Sequence, residues 1–241
     1  MTVTEGPWPP QGVVFPIARV DIAVADGEHA FAAREEAHIA PYWQREVARN
    51  PALYNGRMLL HDHLSLVDGH LAATAYDTSF ATFLYWRSLS PRVTGFHLFG
   101  MPVMVSADGA IIAVRMAAHT ANAGKVYCPA GGIDRNDIHD GKVDIDGNMA
   151  REVAEETGID LGEAVAEDAY WGIHVNRAVG VCRLFRFPDD AETLMRRIRA
   201  HMAVDEEKEI AGVLALTDAR ADAHPYSVFM PPLLDWFFAR G

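Results

Sequence analysis

Glu152, Glu155 and Glu156, with Arg151 just ahead of them, are the residues of this chain best spaced to do chemistry. On a helix of 3.6 residues per turn the three glutamates fall within an arc of about 100°. Like charges at this spacing repel one another and destabilise a bare helix. Arg151 offsets part of the repulsion, but one cation does not neutralise three anions. A divalent cation does. Oxygen-only ligands on a rigid helix suit Mg²⁺ or Mn²⁺ rather than zinc. The competing reading is a solvated acidic helix face, the usual fate of a charge run.

The neighbouring sequence says how such residues would be held. Asp144 stands at the place of a helix N-cap, where its carboxylate accepts from a free backbone N–H. Gly158 is a suitable residue just past the helix end, so a helix is expected from about Asp144 to Glu156. Upstream, Lys125–Cys128 reads as a short strand leading into the loop Pro129-Ala130-Gly131-Gly132. A second candidate is His61-Asp62-His63, where strand alternation puts both histidines on one face. Two histidines do not close a metal site, and the preferred reading is a satisfied hairpin surface.

The run Arg151–Ile159, with Gly131-Gly132 before it, resembles the signature of the Nudix hydrolase family, G-x5-E-x7-R-E-U-x-E-E-x-G-U, with U a bulky aliphatic residue. The second half matches at every specified position, Ile159 supplying the last U. The first half departs from the pattern. Val143 stands where the first Glu belongs, and the loop from Gly132 is five residues longer than the pattern, with Asp134–Asp140 as the inserted stretch. The resemblance implies a Mg²⁺- or Mn²⁺-dependent hydrolase of diphosphates, acting on a nucleoside diphosphate linked to another moiety: nucleotide sugar, ADP-ribose, dinucleotide or coenzyme A type. It implies metal binding by Glu152, Glu155, Glu156 and the Gly131 carbonyl, orientation of the carboxylates by Arg151, and a tight turn at Gly132.

In that family a further carboxylate just before a late strand often serves as base or as a further metal ligand. Glu206, Glu207 and Glu209 precede Ile210–Leu216, and Glu209, nearest the strand, is the choice; Asp137 and Asp140 are rivals. His174 and Arg177, flanking Asn176, are candidates for contacts to substrate phosphate or base, with packing or exposure as the alternative. The stretch Asn50-Pro51 to Asn55-Gly56-Arg57 is similar to part of the N-terminal extension of UDP-sugar-hydrolysing Nudix proteins, although turn preference alone accounts for it. Two rival functions stand beside hydrolysis. One is a catalytically silent ligand-binding or regulatory module, favoured by Val143 and the insertion. The other is an isomerase, which would need a protonating group such as Cys128, read as buried.

The chain has 241 residues, half of them hydrophobic, and a net charge of -12. That charge argues against non-specific nucleic-acid binding and is consistent with a cation-dependent site for a small-molecule diphosphate. Cys128 and Cys182 lie in apolar strand-like runs and read as reduced core residues of a cytoplasmic protein. No signal peptide is legible at Met1–Gly6 and no run has membrane-spanning length. Residues 1–12 read as an irregular lead-in. Val13–Val24 reads as a strand, Glu28–Asn50 as a helix, Arg57–Leu66 and His70–Tyr76 as a hairpin, and Ser79–Arg87 as a short helix. A boundary is placed near residue 90. The segment 1–90 then forms an N-terminal α/β extension, expected to cover the pocket, bind the leaving group or form a homodimer interface. Residues 91–241 form the hydrolase domain. Strands and helices interleave throughout, giving an α+β class with a Nudix-type α/β/α sandwich around a mixed sheet.

Overall fold

A computed structural model of the chain describes residues 8–240. The expectations for Met1–Gly6, and the lead-in as far as residue 7, lie outside the described residues. Two mixed sheets and five helices make up the described part.

The larger sheet has the order β1 (Phe15–Ile17), β10 (Val165–Val175), β11 (Ala178–Arg186), β5 (His97–Val105), β6 (Ile111–Met116) and β12 (Ile210–Leu216), with β7 (Val126–Tyr127) paired to β6. Only β11 and β5 run parallel within it. The smaller sheet has the order β3 (Arg57–Val67), β4 (His70–Ser79), β2 (Arg19–Ala25), β9 (Lys142–Val143) and β8 (Ile138–His139). Each sheet takes strands from both sides of residue 90. The helices are α1 (Ala30–Arg49), α2 (Phe80–Ser88), α3 (Ile145–Thr157), α4 (Ala191–Val204) and α5 (Met230–Phe238).

Alternation along β5 explains the layering, because successive side chains of a strand leave opposite faces. Leu98 and Met104 enter a core shared with Ile145, Met149 and Val153 of α3 and Leu194 and Ile198 of α4. Met101, Val103 and Val105 enter a second core with Met230, Leu233 and Leu234 of α5. The expected α+β sandwich, a mixed sheet with helices on both faces, is therefore observed. The first core also takes in Ile22, Leu59, Leu71 and Ala75 of the smaller sheet. A third cluster joins Phe31 of α1 to Phe83 and Trp86 of α2 and to Met58 and Leu60. Cys128 and Cys182 are free and fully buried. Among the described residues no helix is long and apolar enough to cross a membrane.

Two expectations need correction. Val13–Val24 is not one strand: the chain breaks at Ala18, so that β1 and β2 enter different sheets. His61 and His63 do not share a face. A bulge interrupts β3 between Asp62 and Ser65, and His63 takes a left-handed φ of 50°. His61 is consequently buried in the core while His63 is exposed, and Asp62 turns to His29, 3.3 Å away.

Candidate active site

The acidic helix is α3, bounded as its sequence dictates. The Asp144 carboxylate accepts from the Gly147 amide at 2.9 Å, and Gly158 closes the helix at φ 68°. A Cβ at Gly158 would lie 2.7 Å from the His201 ring, so glycine is required there twice over. The apolar positions Ile145, Met149 and Val153 anchor the helix to the sheet. That docking turns Glu152 inward, where it is buried, and leaves Glu155 largely exposed.

Arg151 is the hub of the site. Its terminal nitrogens reach Glu152 and Glu155 at 2.8 Å each. Its other face is held by Asp137 through two bonds of 3.0 and 2.8 Å. Asp137 is buried, and it also accepts from the Asn148 side chain at 3.0 Å and the Asp134 amide at 2.9 Å. The inserted residues build this contact. Asp134 caps a single 3-10 turn, Arg135–Asp137. The chain then forms the β8–β9 hairpin, in which Ile138 faces Val143, and the hairpin docks on β2 through Ala23 and Lys142. Asp137 thus brings a carboxylate to Arg151 from outside the helix, where Val143 brings none. Asp137 is committed to Arg151, while Asp140, its rival as base, is an exposed turn residue at φ 50°.

Gly131 packs directly on the Glu152 carboxylate, so closely that any Cβ at 131 would overlap it. Gly132 presents its carbonyl to Asn148 at 3.3 Å and to Arg151 at 3.4 Å. Burial pushes the Glu152 pKa up to about 7, with Arg151 pulling the other way. Burial first, then the charges of Glu152 and Glu209, hold Glu156 well above the ordinary range, against the pull of the Ala130 amide. One Glu156 oxygen is buried without a hydrogen-bond partner. Glu209, just ahead of β12, is also raised, by desolvation and by neighbouring acids that include Glu155. The fold therefore brings all four glutamates singled out from sequence close enough for their charges to act on one another. Among the described residues no three His, Cys, Asp or Glu side chains converge as metal ligands; Glu152 and Glu155 are both paired with Arg151. The donor set still fits a hard divalent cation: it is all oxygen, two members are desolvated, and one oxygen atom is orphaned.

Beside this cluster, sharing Ala130, Gly131 and Gly132 with it, opens a cavity of about 600 Å³. Among the described residues its walls carry Arg57, Arg87, Arg92 and Lys125 against a single carboxylate, Asp134. In a chain of net charge -12 this is a local inversion of sign, suited to an anionic ligand. Arg57 is aimed by Asp77, which binds it at 2.9 Å and also pairs with Arg135 of the inserted turn. Phe80, Phe83 and Trp86 of α2 form much of the apolar wall. The sequence reading allowed the aromatic cluster Phe80, Phe83, Tyr85 and Trp86 a place at the pocket, the leaving group or a dimer interface, with core packing as the default, but missed the cationic wall, for which the two arginines close behind were the available signal. Asn176 lines the cavity. Its flanking candidates are engaged elsewhere: His174 donates to the Pro9 carbonyl at 2.6 Å, and Arg177 donates to the Gly95 carbonyl and lies over the Phe96 ring.

No protein-family model matches this sequence, and no curated protein matches it. Several solved structures are similar to it. The MutT protein from Methanosarcina mazei Go1 is 14% identical, with 60% of this chain and 94% of that one aligned at a TM-score of 0.40. The Nudix domain of Shewanella oneidensis NrtR, complexed with ADP ribose, is 14% identical over 65% of this chain and 96% of that one, TM-score 0.41. Shewanella oneidensis NrtR complexed with a 27mer DNA is 15% identical over 59% and 61%, TM-score 0.39. The likeness is loose in each case, and what the site can do follows from its own residues.

Proposed function

We propose that this chain is a Mg²⁺- or Mn²⁺-dependent hydrolase of Nudix type that cleaves a diphosphate linkage. Its substrate would be a nucleoside diphosphate joined to another moiety, of the nucleotide sugar, ADP-ribose, dinucleotide or coenzyme A kind. One observation carries the reading. Glu156 keeps a buried oxygen without a partner inside a cluster of acids, and that cluster shares a loop with a cation-lined cavity. Repelling carboxylates are kept together at a cost in stability, which is the signature of a functional site rather than of a solvated helix face.

Glu152, Glu155, Glu156 and the Gly131 carbonyl would hold the ion. When bound, a divalent cation stabilises charge on phosphoryl oxygens and acidifies a water molecule. The chain's own residues do the rest. Arg57 and Lys125 meet the negative charge of the diphosphate. Glu209, outside the helix and with a raised pKa, takes the proton from the attacking water. Arg151 orients Glu152 and Glu155, and Asp137 keeps hold of Arg151 whichever way those two glutamates turn.

A second reading has one observation in its favour. With Arg151 bonded to both Glu152 and Glu155, the site is self-neutralised to the degree expected of a silent ligand-binding module. Turnover of a panel of diphosphate compounds with Mg²⁺ or Mn²⁺, measured for wild type, Glu155→Gln and Glu156→Gln, separates the two. The hydrolase reading expects metal-dependent release of a phosphate ester that both variants lose. Tight binding of a panel member with no turnover in any form would establish the module instead.

A further inference from the structure

The inner wall of the cavity holds two nitrogen atoms with nothing to bond. Arg92 Nε and His97 Nε2 are both shut off from solvent and lack a hydrogen-bond partner, and both residues line the same space. Buried polar atoms are ordinarily satisfied, so two orphans in one cavity mark a place for ligand atoms. The rings around them are aromatic. His97 lies between Phe83, at 4.5 Å, and Phe99, stacked at 5.3 Å, while the Arg92 guanidinium covers Trp86 at 4.6 Å.

The terminal guanidinium nitrogens of Arg87 and Arg92 on this wall each have a partner within the protein. Arg87 donates to the Asn122 side chain and the Ala121 carbonyl, at 3.0 Å each. Arg92 donates its terminal nitrogens to the Asn176 carbonyl at 2.9 Å and the Arg87 carbonyl at 2.6 Å. Neither arginine has a carboxylate partner among the described residues, and neither offers the two-pronged fork that grips a phosphate. The buried nitrogens of this wall without a partner are one obligate N–H donor, on Arg92, and one imidazole nitrogen, on His97. Burial first, then His61, Arg87 and Arg92, push the His97 pKa down to about 3, so the ring is neutral at physiological pH and its free nitrogen can carry the proton.

We propose that this wall reads the oxo edge of a nucleobase: Arg92 Nε–H and His97 Nε2–H donate to the carbonyl oxygen that uracil and hypoxanthine carry where cytosine and adenine carry an amino group, while the planar ring packs among Phe83, Trp86 and Phe99. The inference rests on the reading of the site as one for nucleoside diphosphate derivatives, and it names which bases and which half of the molecule the cavity takes. The nucleotide half lies under α2. The other moiety leaves on the far side of the scissile bond. An amino-bearing edge is rejected because it sets a donor against the Arg92 donor and leaves both buried.

The test is equilibrium binding by calorimetry to the full chain in a metal chelator, so that no turnover intervenes. The probes are the 5′-monophosphates of uridine and inosine, those of cytidine and adenosine, and ribose 5-phosphate. The oxo-ring nucleotides are expected to bind at least about tenfold more tightly than the amino-ring nucleotides and ribose 5-phosphate. His97→Phe is expected to shrink the preference to less than about threefold; if that variant does not fold, the wild-type panel decides alone. Equal affinity for oxo and amino rings overturns the proposal. So does equal affinity for ribose 5-phosphate, which would make the wall a plain anion site, and so does failure of every ring-bearing probe to bind. Because no metal or cleavage is involved, the preference stands or falls independently of the hydrolase reading, which the turnover assay addresses.

Discussion

Replacing Asp137 by Asn leaves the shape of the side chain nearly unchanged and removes its charge. In the wild type this carboxylate accepts four bonds, from Arg151 at 3.0 and 2.8 Å, from Asn148 at 3.0 Å and from the Asp134 amide at 2.9 Å. All four partners are donors. The amide oxygen of Asn can keep some of them, but the amide nitrogen would point a donor at donors. Hydrogen bonds to charged groups contribute about 1.5–3 kcal/mol each, and a buried charge stripped of its partner costs about 3–5 kcal/mol. Arg151 retains Glu152 and Glu155 and is partly exposed, so the lower figure applies and the loss is about 3 kcal/mol. For a chain of this size that corresponds to a fall in Tm of roughly 6–12 °C. Thermal unfolding followed by circular dichroism measures it, with Asp140→Asn as the control, since Asn is at home in that exposed left-handed turn. A fall of less than about 2 °C for Asp137→Asn, or an equal fall for the control, would show that the insertion does not secure Arg151 and that the account of the site's architecture is wrong.

Three other outcomes are expected. Gly131→Ala forces the Glu152 carboxylate aside and should raise the metal concentration needed for half activation by roughly 10–100-fold; an unchanged metal titration would contradict it. Glu209→Gln should lower kcat by about 10²-fold or more while leaving substrate Kd within about twofold, and an unaltered kcat would remove Glu209 from the mechanism. The folded-state pKa of Glu152, about 7, exceeds its ordinary value of 4.5, so the folded protein holds that proton more tightly than the unfolded chain does. Its contribution to stability is therefore complete below about pH 4.5 and lost as pH rises through about 7, a change of about 3 kcal/mol in the metal-free protein. Urea unfolding in a chelator at pH 5 and pH 8 should reveal it as a difference between wild type and Glu152→Gln, since the buried His61 and His97 titrate in the opposite sense in both proteins; an equal pH-dependent change in stability in the two proteins would refute it.

The parts of the site that could be read from sequence are those decided locally. The α3 boundaries follow from Asp144 and Gly158, and the clustering of Glu152, Glu155 and Glu156 follows from helical period alone. The partner of Arg151 was not legible, because Asp137 lies outside the expected spacing and reaches the helix only once β8 and β9 have paired. His61 and His63 were misjudged for a related reason: the bulge after Asp62 shifts the side-chain alternation, and no residue type in that stretch announces it. The break at Ala18 was hidden because both halves of Val13–Val24 are good strand formers, and the sheet each joins is set by partners far along the chain. The cavity brings together Arg57, Phe83, Lys125 and Phe229, a set that no local pattern connects.

That last feature bears on how the protein comes into being. The ribosome delivers the chain N-terminal end first at about 5–20 residues per second, so Phe229 emerges roughly 10–30 s after Arg57. The β3–β4 hairpin and its neighbouring helices can form early, since their contacts are local. The strand β1 must wait for β10 before it has a partner, and the cavity wall waits longer still. During that interval the aromatic side chains of α2 face an unfinished cavity, and Phe99 lacks its later partner Phe229. Newly made chains should then depend on chaperones most in the seconds before α5 is released.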